Sequence, residues 1–138
     1  MKEIEIRIVN RQEDMPRAVG MISRFVAENE LAPAMHHDLN VVVDEALNNI
    51  ISHGYDTDAA DEITIRLEHR QNKIVVQIED GGRTFDPLQI ASPDFDASLR
   101  TRKVGGLGVH FMRSLMDNLS YKRIDGKNRL ELTKTILP

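Results

Sequence analysis

Ile63-Thr64-Ile65-Arg66-Leu67 and Ile74-Val75-Val76-Gln77-Ile78, followed by Glu79-Asp80-Gly81-Gly82, decide the fold. In each segment apolar residues recur at every second position (Ile63, Ile65, Leu67; Ile74, Val76, Ile78), the period of a strand that buries one face. Gln71-Asn72-Lys73 lies between them as a short polar turn, so the pair is predicted to form a hairpin. Asp80-Gly81-Gly82 ends the second strand abruptly. Working toward the N-terminus, a helix is predicted to run through Leu39, Val43, Ala46, Leu47 and Ile50, starting near Pro33 and stopping at Gly54. Before it, Met15, Ala18, Val19, Ile22, Phe25 and Val26 recur at helical spacing, with Pro16 suited to the first turn. Earlier still, Ile4, Ile6 and Ile8 alternate with charged residues from Glu3 to Val9, as in an edge or half-buried strand.

Toward the C-terminus, Asp86 to Lys103 holds Pro87, Pro93 and little periodicity. So long an irregular stretch in a compact domain is functional or mobile. Gly105-Gly106-Leu107-Gly108 then opens a third helix, with Val109, Met112, Leu115, Met116 and Leu119 on one face. Two last strands are expected near Ser120 to Ile124 and Arg129 to Ile136, joined by Asp125-Gly126-Lys127-Asn128. The order β-α-α-β-β-loop-α-β-β, with hairpins on one side of helices, implies an α+β, two-layer α/β sandwich. Three helices should cover one face of a mixed, mainly antiparallel sheet whose other face is partly exposed.

The chain has 138 residues, the size of one ordinary domain, and no repeat, linker or low-complexity tract divides residues 1–138. Aromatics make up only 4%, so the core must be mostly aliphatic. A net charge of −4 argues against general affinity for nucleic acid, which calls for a basic face. The absence of cysteine excludes disulfides, thiolate metal sites and cysteine nucleophiles. The N-terminus is charged and alternating, and no apolar run reaches the roughly 18 residues of a membrane span. A cytoplasmic, soluble protein without membrane or direct nucleic-acid partners is therefore expected.

Three constellations carry chemistry. In Asp44-Glu45-Ala46-Leu47-Asn48-Asn49, residues four apart share a helix face. Glu45 with Asn49 pairs a carboxylate that can act as a base with an amide oxygen that can ligate a hard cation. Asp44 with Asn48 is an equally spaced pair, and periodicity does not choose between them. In Glu79-Asp80-Gly81-Gly82-Arg83-Thr84-Phe85-Asp86-Pro87, an aspartate at a strand end can accept from an exocyclic amine. The glycine after it lets a flat ligand approach the backbone; the same residues also make an ordinary turn. In Val104-Gly105-Gly106-Leu107-Gly108-Val109-His110, glycines before a helix expose backbone N–H groups where the helix dipole favours anions. Arg100, Arg102 and Lys103 stand ready to add charge-assisted phosphate contacts. No GxxxxGK[ST] loop and no full dinucleotide fingerprint is present.

Taken in this order and spacing, the three segments resemble the N, G1 and G2 boxes of the GHKL ATPase superfamily, which includes gyrase and the histidine kinases. The chain is most similar to the anti-sigma-factor serine/threonine kinase branch. The N box is Glu45-Ala46-Leu47-Asn48-Asn49, continued by Ile50-Ile51-Ser52-His53-Gly54-Tyr55; the G1 box is Asp80 to Pro87; the G2 box is Gly105-Gly106-Leu107-Gly108, backed by Phe111 to Asp117. The resemblance covers essentially the whole chain and implies the Bergerat-type form of the sandwich. It implies Glu45 as general base and Asn49 as ligand of Mg2+, which selects that pair over Asp44 and Asn48. It implies that Asp80 reads the adenine amine of ATP, that Gly82 lets the base fit, and that Gly105, Gly106, Leu107 and Gly108 cradle phosphates. Arg102 and Lys103 would add contacts from an ATP lid over residues 87–104. The implied partners are a sigma factor, a STAS-type anti-sigma-factor antagonist that is the phosphoryl acceptor, and a second copy in a homodimer. A non-catalytic ATP-gated binding switch is the alternative. Many members carry a threonine near the start of the last strand; here the region reads Lys127-Asn128-Arg129, and Thr133 comes later. Some members use an arginine of the first helix on a partner, a place that Arg17 and Arg24 both fit.

His53 is expected to cap or pack its helix end. His36 and His37 lack the preceding helical hairpin of a phosphorelay. Met15, Met21, Met35, Met112 and Met116 fall at apolar positions as core filler. Asp86, Asp94 and Asp96 match no complete calcium loop and are expected to be solvated.

Overall fold

A computed structural model describes residues 2–55, 59–84, 86, 87 and 106–136. Strand β1 (Glu3–Val9) leads through a 3-10 turn (Gln12–Asp14) into helices α1 (Met15–Glu28) and α2 (Pro33–His53). Strands β2 (Glu62–Arg70) and β3 (Lys73–Asp80) follow, then α3 (Gly106–Leu115), β4 (Asn118–Ile124) and β5 (Lys127–Thr135). The five strands form one sheet in the order β1-β2-β3-β5-β4. Every strand pair is antiparallel, which narrows the expected mixed, mainly antiparallel sheet to a purely antiparallel one among the described residues.

Local chemistry explains the boundaries. Proline opens both α1 and α2, where its fixed φ fits and its missing N–H costs nothing. Gly54 closes α2 by donating its N–H to the Ile50 carbonyl at 2.8 Å. A Cβ on Gly54 would lie 2.6 Å from that carbonyl oxygen, so the stop depends on space there. Asp125 (φ 50°) and Gly126 (φ 77°) make the β4–β5 hairpin a two-residue turn, tighter than the four-residue link the sequence suggested. Both central residues have positive φ, as Asp-Gly hairpin turns require.

One face of the sheet is buried. Ile8, Ile63, Ile65, Leu67, Ile74, Val76, Ile78, Leu130 and Leu132 meet Ala18, Met21, Ile22, Phe25 and Val26 of α1 and Leu39, Val42, Val43, Ala46 and Leu47 of α2. Burying each of these larger side chains contributes about 1.5–3 kcal/mol, and together they hold the two layers in register. Met21, Met35, Met112 and Met116 are buried filler, as expected. Two residues fall elsewhere than their spacing suggested. Val19 is 52% exposed, because the apolar face of α1 is narrower than its run of apolar residues. Leu119 lies on β4 opposite Leu132, because α3 ends at Leu115. That end is fixed by Lys134 of β5, whose Nζ donates to the Leu115 carbonyl at 2.5 Å and pairs with Asp38 of α2 at 3.1 Å. The other face of the sheet interleaves charges, such as Arg66 with Glu3 and Glu5 and Arg129 with Glu79. Exposed pairs of this kind contribute little to stability.

The register sets one rung that runs across the whole sheet. Ile8 pairs with Ile63, Ile63 with Asp80, Asp80 with Asn128, and Asn128 with Arg123. The helix-facing side of the sheet is therefore apolar at one end of this rung and polar at the other.

Candidate functional site

A pocket opens at the polar end of that rung, between the last turns of α2, the end of β3, α3 and the β4–β5 hairpin. Its apolar wall is Ala46, Ile50, Met112, Leu130 and Pro87; its polar groups are Asn49, Asp80, Tyr121 and Asn128. An apolar cleft with a few convergent polar groups is the form of a small-molecule site.

Asp80 is 4% exposed. Its Oδ1 accepts from the Gly82 N–H at 2.8 Å and from Asn128 Nδ2 at 3.2 Å. Burial pushes the carboxyl above its ordinary range, and Asp61 pushes the same way. The Gly82 N–H, the Asn128 amide and the Arg123 guanidinium act against that rise. The turn behind Asp80 is locked on both sides. The Arg83 N–H donates to the Gly54 carbonyl at 2.8 Å, and Arg83 Nε to the His53 carbonyl at 2.6 Å. A Cβ on Gly82 would lie 2.5 Å from the Gly54 carbonyl oxygen, so glycine there is already required by the contact with α2. A Cβ on Gly81 would lie 2.8 Å from Asp61 Oδ2, which accepts from the Tyr55 hydroxyl at 2.9 Å. Burial and that bond raise the Tyr55 hydroxyl well above its usual range, so it stays protonated.

The two carboxylate–amide pairs of α2 have different surroundings. Asn48 is engaged away from the pocket: its Nδ2 donates to Asp44 at 3.2 Å, and its Oδ1 accepts from Gln12 Nε2 at 3.1 Å. Asn49 lines the pocket and is 4% exposed, and its buried Nδ2 has no partner among the described residues. A buried amide without a protein partner is costly unless a ligand completes it. Glu45, one turn earlier on the Asn49 face, is half-buried and is not one of the pocket's walls. Burial first, and the neighbouring Asp44 second, push its carboxyl above the ordinary range.

Of the residues expected to hold phosphate, Gly106, Leu107 and Gly108 form the first turn of α3. Arg102, Lys103 and Gly105 lie outside the described residues, as does all of the 87–104 lid but Pro87, which lines the pocket. His36 sits on the first turn of α2, 3.4 Å from Ser23 of α1, about 20 Å along the helix from Asn49 at 1.5 Å per residue. Sequence reading passed over Tyr121 and Arg123. The Asp125-Gly126 signal, read as a two-residue turn, would have set Arg123 opposite Asn128.

Among the described residues no group of three or more His, Asp or Glu could hold a metal ion by itself. Mg2+ suits a site with one or two protein oxygen ligands beside substrate phosphates; the side-chain oxygen of Asn49 is of that type, whereas its unpartnered Nδ2 is a donor suited to an acceptor such as a phosphate oxygen. No helix among the described residues is long and apolar enough to cross a membrane.

The chain is 39% identical to the serine/threonine-protein kinase BtrW of Bordetella bronchiseptica, over 88% of this chain and 85% of that protein. It is 27% identical to the anti-sigma F factor of Thermoanaerobacter sp. (strain X514), over 96% and 93%. It is 29% identical to the serine-protein kinase RsbW of Listeria monocytogenes, over 59% and 55%. The histidine kinase-like ATPase domain matches residues 8–134, nearly the whole chain, and the protein belongs to that family.

Proposed function

We propose that this domain is an ATP-dependent serine/threonine protein kinase that acts as an anti-sigma factor. It transfers the γ-phosphoryl group of ATP to a hydroxyl of a STAS-type anti-sigma-factor antagonist. While the antagonist is phosphorylated, the domain sequesters a sigma factor, in the cytoplasm and as a homodimer. The observation that carries the proposal is the pocket itself. It joins a buried carboxylate suited to an amine, Asp80, with a buried amide, Asn49, whose Nδ2 has no partner among the described residues, beside Met112 of α3. The names of the relatives, kinases and anti-sigma factors alike, support the reaction class and the sigma-factor partner; the STAS-type antagonist comes from the resemblance of the three boxes to the anti-sigma-factor kinase branch.

Each residue has a part. Asp80 Oδ2 accepts from the adenine amine. The first turn of α3, Gly106 to Gly108, offers backbone N–H groups and the positive end of a helix dipole to the phosphates. Arg102, Lys103 and Gly105 precede it in sequence and extend the same anion site. Asn49 would hold Mg2+, which supplies charge neutralisation at the phosphates. Glu45 takes the proton from the attacking hydroxyl as the new oxygen–phosphorus bond forms and the β–γ bridging bond breaks, leaving ADP. A carboxylate raised by burial holds that proton better than an ordinary glutamate, which suits it to the role.

One observation favours the alternative, a non-catalytic ATP-gated switch: Glu45 is not part of the pocket wall. A single experiment decides. The protein is incubated with labelled ATP, Mg2+ and a panel of STAS-domain proteins from the same genome. Label on a serine or threonine of one of them supports the kinase. Tight ATP binding with no transfer to any of them overturns the kinase and leaves the switch.

A further inference from the structure

Asn128 is placed across from Asp80 by the β3–β5 register, and Arg123 is placed across from Asn128 by the β4–β5 register. The carboxamide of Asn128 is 5% exposed and spends every hydrogen-bonding position it has. Its Nδ2 donates to Asp80 Oδ1 at 3.2 Å and to the Arg83 carbonyl at 2.8 Å. Its Oδ1 accepts from the Tyr121 hydroxyl and from Arg123 Nη1, the latter at 3.0 Å. An asparagine amide offers two N–H donors and two lone pairs, so these four partners exhaust it. The network also fixes its orientation. Turned over, its oxygen would face two acceptors and its NH2 two donors. Arg123 Nη1 donates further to the Gly82 carbonyl at 2.8 Å, tying β4 to the turn that follows Asp80.

We infer that Asn128, Tyr121 and Arg123 are positioning residues of the nucleotide-base site. They form a clamp that holds Asp80 Oδ1 against the protein and leaves Oδ2 as the acceptor presented to the base. The inference rests on reading the pocket as the ATP site. Asn128 has no donor or acceptor left for the base and acts only through Asp80. With Oδ1 taken by the Gly82 N–H and by Asn128, the carboxylate cannot turn to offer its oxygens differently. A base presenting an amine donor at that point is accepted. A base presenting a carbonyl oxygen meets a fixed anion and is rejected. The edge strand β4 thereby takes part in base selection, although only Tyr121 of that strand lines the pocket.

The test compares ATP and GTP affinity by calorimetry across a pH series. The proteins are wild type, Asn128→Leu, Tyr121→Phe and Asp80→Asn, with Arg129→Ala as control, since Arg129 pairs with Glu79 on the other face of the sheet. A carboxylate no longer held by Asn128 loses its hydrogen bond to the base, a bond worth about tenfold or more in affinity. Asn128→Leu should therefore weaken ATP about tenfold and narrow its preference over GTP. It should also move the acid limb of ATP binding to higher pH. Burial and Asp61 hold Asp80 up, Tyr55 adds no charge, and Gly82, Asn128 and Arg123 hold it down. Removing one of the last three lets the carboxyl rise, so protonation abolishes binding sooner as the pH falls. Tyr121→Phe keeps the ring and should shift all three readouts the same way by a smaller factor, about threefold. It decides the matter if Asn128→Leu does not fold. Arg129→Ala should match wild type. The clamp is overturned if Asp80→Asn loses ATP while the folded clamp variants keep wild-type affinity, base preference and acid limb. Wild-type ATP affinity in Asp80→Asn overturns the pocket reading, and the clamp with it.

Discussion

Replacing Asp80 by asparagine changes one oxygen into an NH2 in a pocket whose geometry limits how the new side chain can sit. Oδ1 already accepts from Gly82 and Asn128, so the amide oxygen of the variant must take that place to keep both donors satisfied. The NH2 is then left facing the base, donor against donor. The loss is one hydrogen bond to a charged acceptor in a buried site, about 1.5–3 kcal/mol, or about ten- to a hundredfold in affinity. The same change should not harm the fold. Burial raises the Asp80 carboxyl, so the folded state disfavours its ionised form. The stability this group contributes is fully present below the unfolded aspartate pKa and is lost as the pH rises through the folded value. At neutral pH the asparagine variant should melt at or above the wild-type temperature, and that margin should shrink as the pH falls. Calorimetric titration with ATP and with inorganic triphosphate, beside thermal melts at several pH values, reads all of this. Unchanged ATP affinity would refute the base contact. Equal losses for ATP and triphosphate with a lower melting temperature would show disruption of the turn instead.

Four further perturbations test the rest of the site. Glu45→Gln should leave Mg-ATP affinity near wild type and lower phosphotransfer to a cognate STAS partner by about 10²–10⁴-fold. Asp44→Asn removes the like charge that helps raise Glu45, so the acid limb of kcat should move to lower pH; an unmoved limb would count against Glu45 as the base. Asn49→Ala should reduce the dependence of ATP affinity on Mg2+ and phosphotransfer together, whereas equal ATP affinity with and without Mg2+ in wild type would remove Asn49 from the metal. Gly82→Ala forces a methyl to within 2.5 Å of the Gly54 carbonyl, an overpacking that should cost about 1–3 kcal/mol. Its melting temperature should fall even without nucleotide, and a wild-type melt would mean that α2 and the turn can part freely.

Most of the fold was legible because its signals are local. Alternation over Ile63 to Leu67 and Ile74 to Ile78 reports a buried face within one strand, and those strands pair as the hairpin implied. Pro33 and Gly54 bound a 21-residue helix because each acts through its own backbone. What was not legible depends on partners distant in sequence. The end of α3 is set by Lys134, 19 residues beyond Leu115, reaching its last carbonyl. No periodicity inside α3 encodes that, so Leu119 was placed on the helix. Val19 failed for the opposite reason: it belongs to the right pattern, but α1 meets neighbours along only part of its apolar side.

The site divides the same way. The residue types of its three segments were visible, and the resemblance they bear chose Glu45 and Asn49 over Asp44 and Asn48. The structure adds a difference between the two amides: Gln12, 36 residues away on the 3-10 turn, engages Asn48. Asn49, left unpartnered beside the pocket, is the amide that a ligand can complete. Asn128 shows the limit more sharply. In sequence it is a polar residue after a turn, and it stood out only because a threonine was missing there. Its meaning lies in two registers, β3 with β5 and β4 with β5, which bring Asp80, Asn128 and Arg123 into one rung. Each register is held by rows of apolar pairs such as Ile78 with Leu130 and Leu119 with Leu132. A shift of one residue along β5 would turn Asn128 to the solvent face. The apolar core that aligns these strands therefore also aims the carboxylate, and the proposed base selection depends on packing well outside the pocket.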